Sequence, residues 1–290
     1  MYVVTLVADR TATTLTDTIM DRVRDAIGGG TISVLSSAEA VDIAIDYVPD
    51  LDTIRAALQG AAVDAIVAPR EGRRKRLLIA DMDSTIVTSE TLDELADFAG
   101  LKDRIAAITA RAMNGELDFK AALRERVAML KGLPIAALEQ TWHRVQLTPG
   151  AGELVATMRA HGAMTALVSG GFTFFTGRVA ALVGFDLHRS NVLMDDGAAL
   201  TGAVAEPILD RHAKVATLQE LAAGERLPLS ATLAVGDGAN DLDMLAKAGL
   251  GVAFRAKPIV AAAARTRVDH ADLRALLFAQ GYRAAEFVTS

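Results

Sequence analysis

The chain contains no cysteine, which excludes disulfides, thiolate nucleophiles and cysteine-held metals. Aromatic residues make up only 4% of its 290 positions, with a single tryptophan, so the core has to be built from Ala, Leu, Val and Ile. No apolar run reaches the roughly 18 residues of a membrane span. The opening stretch, Met1 to Arg10, lacks a basic start and meets Asp9–Arg10 early, unlike a signal peptide. A cytoplasmic protein is therefore expected. An excess of positive charge is also missing. The 30 Lys and Arg against 36 Asp and Glu leave a net charge of -6, the wrong sign for broad nucleic-acid binding. That balance does not exclude a phosphorylated ligand, because a few cations and a metal ion can make a local anion site on an acidic protein.

Hydrophobic residues reach 51%, enough for a sizeable core, and the length fits two domains. Residues 1–68 read as a small α+β unit. Strands are expected over Tyr2–Ala8, Thr31–Leu35, Ala40–Tyr47 and Ala62–Val67. A helix over Leu15–Ile27 is stopped by Gly28-Gly29-Gly30, and Asp50 or Asp52 caps a second helix that runs to about Leu58. The order βαββαβ predicts a ferredoxin-like fold. Residues 69–76 carry Pro, Gly and five basic residues and read as a solvated interdomain linker. The second domain, 77–290, changes period. Leu77–Ala80, Thr165–Val168, Leu233–Val235 and Gly251–Phe254 are short apolar runs without polar alternation, as in parallel strands covered on both faces. Helical segments separate them, which predicts an α/β, doubly wound, Rossmann-like parallel sheet. Between about 88 and 148 only helices are expected, at Thr91–Ala99, Lys102–Met113, Phe119–Leu130 and Ile135–Val145. They form a helical cap inserted after the first strand.

Chemistry collects at the strand ends. The run Leu77-Leu78-Ile79-Ala80-Asp81-Met82-Asp83-Ser84-Thr85 places two carboxylates where open α/β sheets bind their ligands. A second strand ends in Val168-Ser169-Gly170-Gly171-Phe172, and a third in Val235-Gly236-Asp237-Gly238-Ala239-Asn240-Asp241, with Lys214 ahead of it. A carboxylate can attack phosphorus only if anion–anion repulsion is offset. Asp81 and Asp237 suit Mg²⁺, a hard cation that prefers oxygen. Lys214 adds fixed positive charge, and Ser169 and the Gly170 amide can hydrogen-bond phosphoryl oxygens. Asp83 can protonate a poor alkoxide leaving group and then deprotonate water. Asp241 orients either the metal shell or Lys214.

These segments resemble the four motifs of the haloacid dehalogenase superfamily, over residues 77 to about 280. Within it, Asp81–Ala96, Leu123–Val127, Val168–Phe172 and Val235–Asp241 are similar to the phosphoserine phosphatase family. The resemblance implies hydrolysis of O-phosphoserine to serine and phosphate, the last step of serine biosynthesis, through an aspartyl-phosphate on Asp81. It implies Asp83 as acid/base, and one Mg²⁺ held by Asp81, the backbone carbonyl of Asp83, and Asp237. It also implies substrate contacts from Glu90, Arg126, Ser169, Gly170, Lys214 and Asn240.

Periodicity bears on one of these residues independently. Arg126 shares the helix face of Ala122, Leu123 and Leu130, and a guanidinium on an apolar face needs an anion. Glu90, opening the first cap helix, would take the substrate ammonium. Met113 or Phe119 could face the substrate as well. The N-terminal unit resembles the ACT fold of amino-acid-binding domains, which implies either a stabilising or homodimer-forming role or an amino-acid site. Two rivals stand beside this reading: a phosphatase or phosphotransferase acting on another small phosphomonoester, and an amino-acid-binding regulator with an inactive core.

Overall fold

The computed structural model describes residues 1–289. Its first part follows the order β1 (Tyr2–Ala8), α1 (Asp17–Ala26), β2 (Thr31–Ser36), β3 (Ala40–Ile45), α2 (Leu51–Leu58) and β4 (Val63–Pro69). The sheet is antiparallel with strand order β2-β3-β1-β4, the arrangement expected from βαββαβ. Thr16 caps α1 and Asp50 caps α2, each accepting a hydrogen bond from a first-turn amide. Alternate residues of β1 face opposite ways. Val4, Leu6 and Ala8 join the core under α1 and α2, whereas Val7 belongs to the core of the larger part.

The second part begins with β5 (Leu77–Ala80). The cap follows as α3 (Thr91–Asp97), α4 (Lys102–Met113), α5 (Phe119–Ala128) and α6 (Ala136–Trp142). The chain then returns through α7 (Ala151–Ala160), β6 (Met164–Phe172), α8 (Thr173–Val183), β7 (Leu187–Asn191), a hairpin of β8 (Leu193–Asp195) and β9 (Leu200–Val204), and α9 (Arg211–Gly224). It closes with β10 (Thr232–Gly236), α10 (Leu242–Lys247), β11 (Leu250–Phe254), α11 (Pro258–Ala263), β12 (Thr266–Val268) and α12 (Ala275–Ala279). Six strands form one parallel sheet, β12-β11-β10-β5-β6-β7. The four apolar runs are its four inner strands. The two edges, Leu187–Asn191 and Thr266–Val268, carry polar residues because an edge is only partly covered, and that is why they lack a continuous apolar run.

The cap leaves and rejoins the core side by side, with Val87 bridged to Leu147. A second tie, unforeseen from sequence, comes from the β8–β9 hairpin. Leu200 exchanges backbone hydrogen bonds with the turn after α5, through Gly132 N–H at 2.8 Å and Leu133 O at 2.9 Å.

The basic segment 69–76 is exposed at most positions, as a solvated connector would be, but Arg73 departs from that expectation. Arg73 is nearly buried and pairs with Asp42 at 2.6 Å, while Nε and Nη2 donate to the carbonyls of Ala279 and Phe278, at 3.2 Å each. Across the same junction the Asp64 carboxylate accepts hydrogen bonds from the amides of Asp269, His270 and Ala271. The two parts abut closely enough for a guanidinium to satisfy carbonyls at the end of α12. A charge run read along the chain carries no sign of that proximity.

Candidate active site

The site lies beyond the carboxyl ends of β5, β6 and β10, where three neighbouring parallel strands stop together. After β5 the chain turns sharply at Ser84, whose φ of +54° is left-handed. Asp81 and Asp83 go to different neighbours. Asp81, 5% exposed, meets the Lys214 ammonium at 2.8 Å. Asp83 instead turns toward the cap and the next strand. Its Oδ1 accepts from the Thr91 amide at 2.8 Å, and its Oδ2 lies 3.4 Å from the Ser169 hydroxyl, which donates to it.

Lys214 projects from the first turn of α9 and is fully buried between two carboxylates, with Asp241 at 2.6 Å. Burial opposes its charge, yet Asp241 and Asp81 outweigh that penalty and hold its pKa above the ordinary lysine value. Asp241 reaches this position because residue 236 is glycine. A Cβ there would come within 2.4 Å of the Asp241 carboxyl carbon. The other oxygen of Asp241 accepts from the Gly238 amide at 3.1 Å. Burial, then repulsion from Asp81, push the Asp241 pKa up to about 7.

Asp81, Asp237 and Asp241 each offer a carboxylate oxygen within 4.8 Å of one another. Asp237 is buried, and burial followed by Glu90 and Asp81 holds its pKa well above the usual carboxylate range. One of its oxygens accepts from Thr85 at 3.2 Å. The other has no hydrogen-bond partner among the described residues, and the Lys257 ammonium lies 3.5 Å away. A buried carboxylate oxygen without a donor, beside two further carboxylates, is the environment that a hard divalent cation satisfies. The donor set therefore fits Mg²⁺. The Asp83 carboxyl group stands outside this cluster. Burial first, then Glu90 and later Asp81, push its pKa up to about 8.

On β6 the small residues serve proximity. A Cβ on Gly171 would fall 2.7 Å from Asp83 Oδ2, and one on Gly170 would strike the Phe119 ring at the same distance. Ser169 Oγ accepts from the Gly171 amide at 2.9 Å. Asn240 is buried beside these groups, and its side-chain oxygen has no hydrogen-bond partner among the described residues.

The cap closes the other side. Glu90 immediately precedes α3 and accepts from the Ser84 hydroxyl at 2.7 Å. Arg126 is 4% exposed, and among the described residues no carboxylate lies within ion-pair distance of it. Its Nη1 donates to Thr109 Oγ1 at 2.9 Å, and that hydroxyl donates to Asp93 at 2.6 Å. Burial lowers the Arg126 pKa, with Asp93, Glu90 and Asp83 opposing the fall. Its neighbour Arg124 points away to pair with Glu206 at 2.5 Å. Asp81, Asp83, Glu90, Arg126, Gly170, Asp237 and Asn240 all line one cavity of about 30 Å³, together with both Met113 and Phe119.

Every residue expected at the site is thus found around it: Ser169 and Lys214 stand directly behind the lining, and Asp241 behind Lys214. Sequence reasoning missed Thr109 and Asp93, which hold Arg126, as well as Lys257 and Asn191. Thr109 and Asp93 sit on two other cap helices, and only the cap's tertiary packing brings them to the guanidinium.

The haloacid dehalogenase-like hydrolase model matches residues 78–246. A phosphoserine phosphatase of Streptococcus thermophilus is 46% identical over 199 residues, 69% of this chain and 93% of that protein. One of Streptomyces coelicolor is 43% identical over 226 residues, 78% of this chain but only 55% of the relative's length. Among solved structures, one described as a phospho-aspartyl intermediate analogue of phosphoserine phosphatase superposes with a TM-score of 0.68 at 41% identity. It covers 71% of this chain and 98% of its own. The chain belongs to the haloacid dehalogenase-like hydrolases, and within that family its relatives are phosphoserine phosphatases.

Proposed function

We propose that this hydrolase is a Mg²⁺-dependent phosphoserine phosphatase working through an aspartyl-phosphate on Asp81. The observation that carries the proposal is a single cavity with two kinds of charge. It is lined by Asp81, paired with a buried lysine, and by a buried arginine, Arg126, that has no carboxylate partner among the described residues. A phosphate monoester of an amino acid matches both charges.

In this reading Arg126 takes the substrate carboxylate in a bidentate grip and Glu90 takes the ammonium. Ser169, the Gly170 amide, Lys214 and Asn240 receive the phosphoryl oxygens. Asp81 and Asp237, with the backbone carbonyl of Asp83, would hold one Mg²⁺, which would supply charge neutralisation for the phosphoryl group. A carboxylate oxygen of Asp81 bonds to phosphorus as the bond from phosphorus to the serine oxygen breaks. Asp83, kept protonated by its surroundings, gives that oxygen its proton. Water then attacks phosphorus, Asp83 takes the water's proton, and Asp81 leaves as carboxylate while inorganic phosphate forms. Asp241 keeps Lys214 charged and aimed at Asp81. The cavity is small, about 30 Å³, and in this reading the cap parts from the core to admit substrate and release product.

The test is a panel of phosphomonoesters with phosphate release measured, and with homoserine added as an alternative acceptor. Phosphoserine should be turned over far better than p-nitrophenyl phosphate, and equal rates would overturn the specificity. Arg126→Ala should lower kcat/KM for phosphoserine by about 10²-fold, the usual size for losing one side of a buried charge pair. It should lower kcat/KM for p-nitrophenyl phosphate far less. Equal losses would make Arg126 a structural residue.

Metal dependence has its own readout. EDTA should abolish turnover and lower the melting temperature, because three carboxylates are then left clustered. Restoring Mg²⁺ to 100 times its Kd should return about 2.7 kcal/mol of stability. A melting temperature indifferent to Mg²⁺ would remove the metal from this site.

The N-terminal unit, 1–68, is read as an ACT-like domain joined by 69–76 to the catalytic domain 77–290, and as the surface for a homodimer. Sedimentation of the whole chain checks the dimer, and a monomer at all concentrations would exclude it.

A further inference from the structure

Strand β6 leaves its ladder just where the site begins. Val168 pairs with Arg189, and the next register point is Phe172 with Asn191. Four steps along β6 meet two along β7, so Ser169, Gly170 and Gly171 arch away from the neighbouring strand. Such an arch strands backbone groups that the ladder would have paired. The Gly170 carbonyl finds its partner in the Asn191 side chain, whose Nδ2 donates to it at 2.8 Å. The other end of the same amide accepts from the Leu209 N–H at 2.7 Å. Asn191 is 3% exposed. The orientation of its amide is dictated by its neighbours, since a carbonyl only accepts and a backbone N–H only donates.

Two consequences meet at the phosphoryl site. The peptide between Gly170 and Gly171 is held at both poles, its carbonyl by Asn191 and its N–H by Ser169 Oγ at 2.9 Å. Its plane is thereby fixed, and with it the arch that presents Ser169 and Gly170. Leu209 precedes Asp210, which caps α9 and pairs with Lys120 of the cap at 2.9 Å. Lys214 lies one turn further along α9. One buried side chain thus ties the anion-binding arch of β6 to the start of the helix that delivers the catalytic ammonium.

We propose that Asn191 is a positioning residue for phosphoryl transfer: it sets the arch Ser169–Gly171 against Lys214 and never touches substrate itself. This rests on the phosphatase reading above. Its side chain is bifunctional, and replacements separate the two functions. Asn191→Ala removes both hydrogen bonds. Asn191→Asp keeps the acceptor for Leu209 but sets a carboxylate oxygen against the Gly170 carbonyl. Only the protonated form of that new carboxyl can donate to it.

The experiment measures kcat and KM for phosphoserine in the Mg²⁺-loaded protein, together with inhibition by orthovanadate, a mimic of the phosphoryl group in flight. A misplaced cradle should lower kcat of Asn191→Ala by about 10- to 10²-fold and weaken vanadate inhibition in parallel. KM should change much less, because Arg126 and Glu90 are untouched. For Asn191→Asp, the rate relative to wild type should climb as pH falls. An Asn191→Ala protein with kcat and vanadate affinity near wild type would overturn the proposal. So would a loss of kcat with unchanged vanadate affinity. If Asn191→Ala does not fold, a pH-independent ratio for Asn191→Asp overturns it as well. A wild-type chain that binds vanadate but ignores phosphoserine would instead sink the substrate reading, leaving Asn191 to be judged on vanadate affinity alone.

Discussion

Asp81→Asn should reduce phosphoserine turnover by about 10⁵-fold or more, the scale on which removing a covalent nucleophile acts. The amide is nearly isosteric but cannot form an acyl phosphate. The loss should therefore be chemical and leave the fold intact. Lys214 sits between Asp81 at 2.8 Å and Asp241 at 2.6 Å, so in the variant the buried ammonium still has a carboxylate partner. Repulsion among the buried carboxylates also falls, because Asp81 contributes to the raised pKa values of both Asp237 and Asp241. The melting temperature in EDTA should change little, whereas its rise on adding Mg²⁺ should shrink, one of the proposed ligands having lost its charge. Acid quenching during turnover of labelled phosphoserine gives the direct readout. Wild-type protein should carry label that hydroxylamine releases, and the variant should carry none. Label retained on Asp81→Asn protein, or turnover near 1% of wild type, would move the nucleophile elsewhere.

How much of this was legible in sequence depends on whether the signal was local. Asp81 and Asp83 follow a four-residue strand with no exposed side chain, and a strand buried on both faces announces itself as an unbroken apolar run. Arg126 could be assigned to the buried face of its helix because helical periodicity is itself a statement about direction. Asn191 could not be found this way. It ends an edge strand of mixed character, and its role exists only because β6 arches over two register steps beside it. Arg73 was misread as solvated for a similar reason. Its partners, Asp42, Phe278 and Ala279, are distant in sequence, and a run of basic residues looks the same whether it faces water or the junction between two packed units.

Asp83→Asn should lower phosphoserine turnover by about 10²- to 10⁴-fold, the usual range for general acid–base assistance. The choice of substrate then decides which of its two proposed roles is lost. An asparagine can still accept the Thr91 amide that Asp83 Oδ1 accepts at 2.8 Å, so the turn after β5 should hold. In the proposed mechanism serine departs as a poor alkoxide and takes its proton from Asp83, whose pKa is pushed up to about 8 by burial and by the neighbouring carboxylates of Glu90 and Asp81. p-Nitrophenol departs readily as an anion and needs no such proton. With p-nitrophenyl phosphate, the variant should therefore still phosphorylate Asp81 but fail to activate the water that frees it. The expected record is a burst of about one nitrophenolate per site, followed by a slow steady rate, with phosphoenzyme accumulating. With phosphoserine no burst should form, because the first step is itself slowed. If Asp83→Asn slowed both substrates equally and neither gave a burst, its role would be confined to shaping the turn, and the proton would have to come from another group in the cavity.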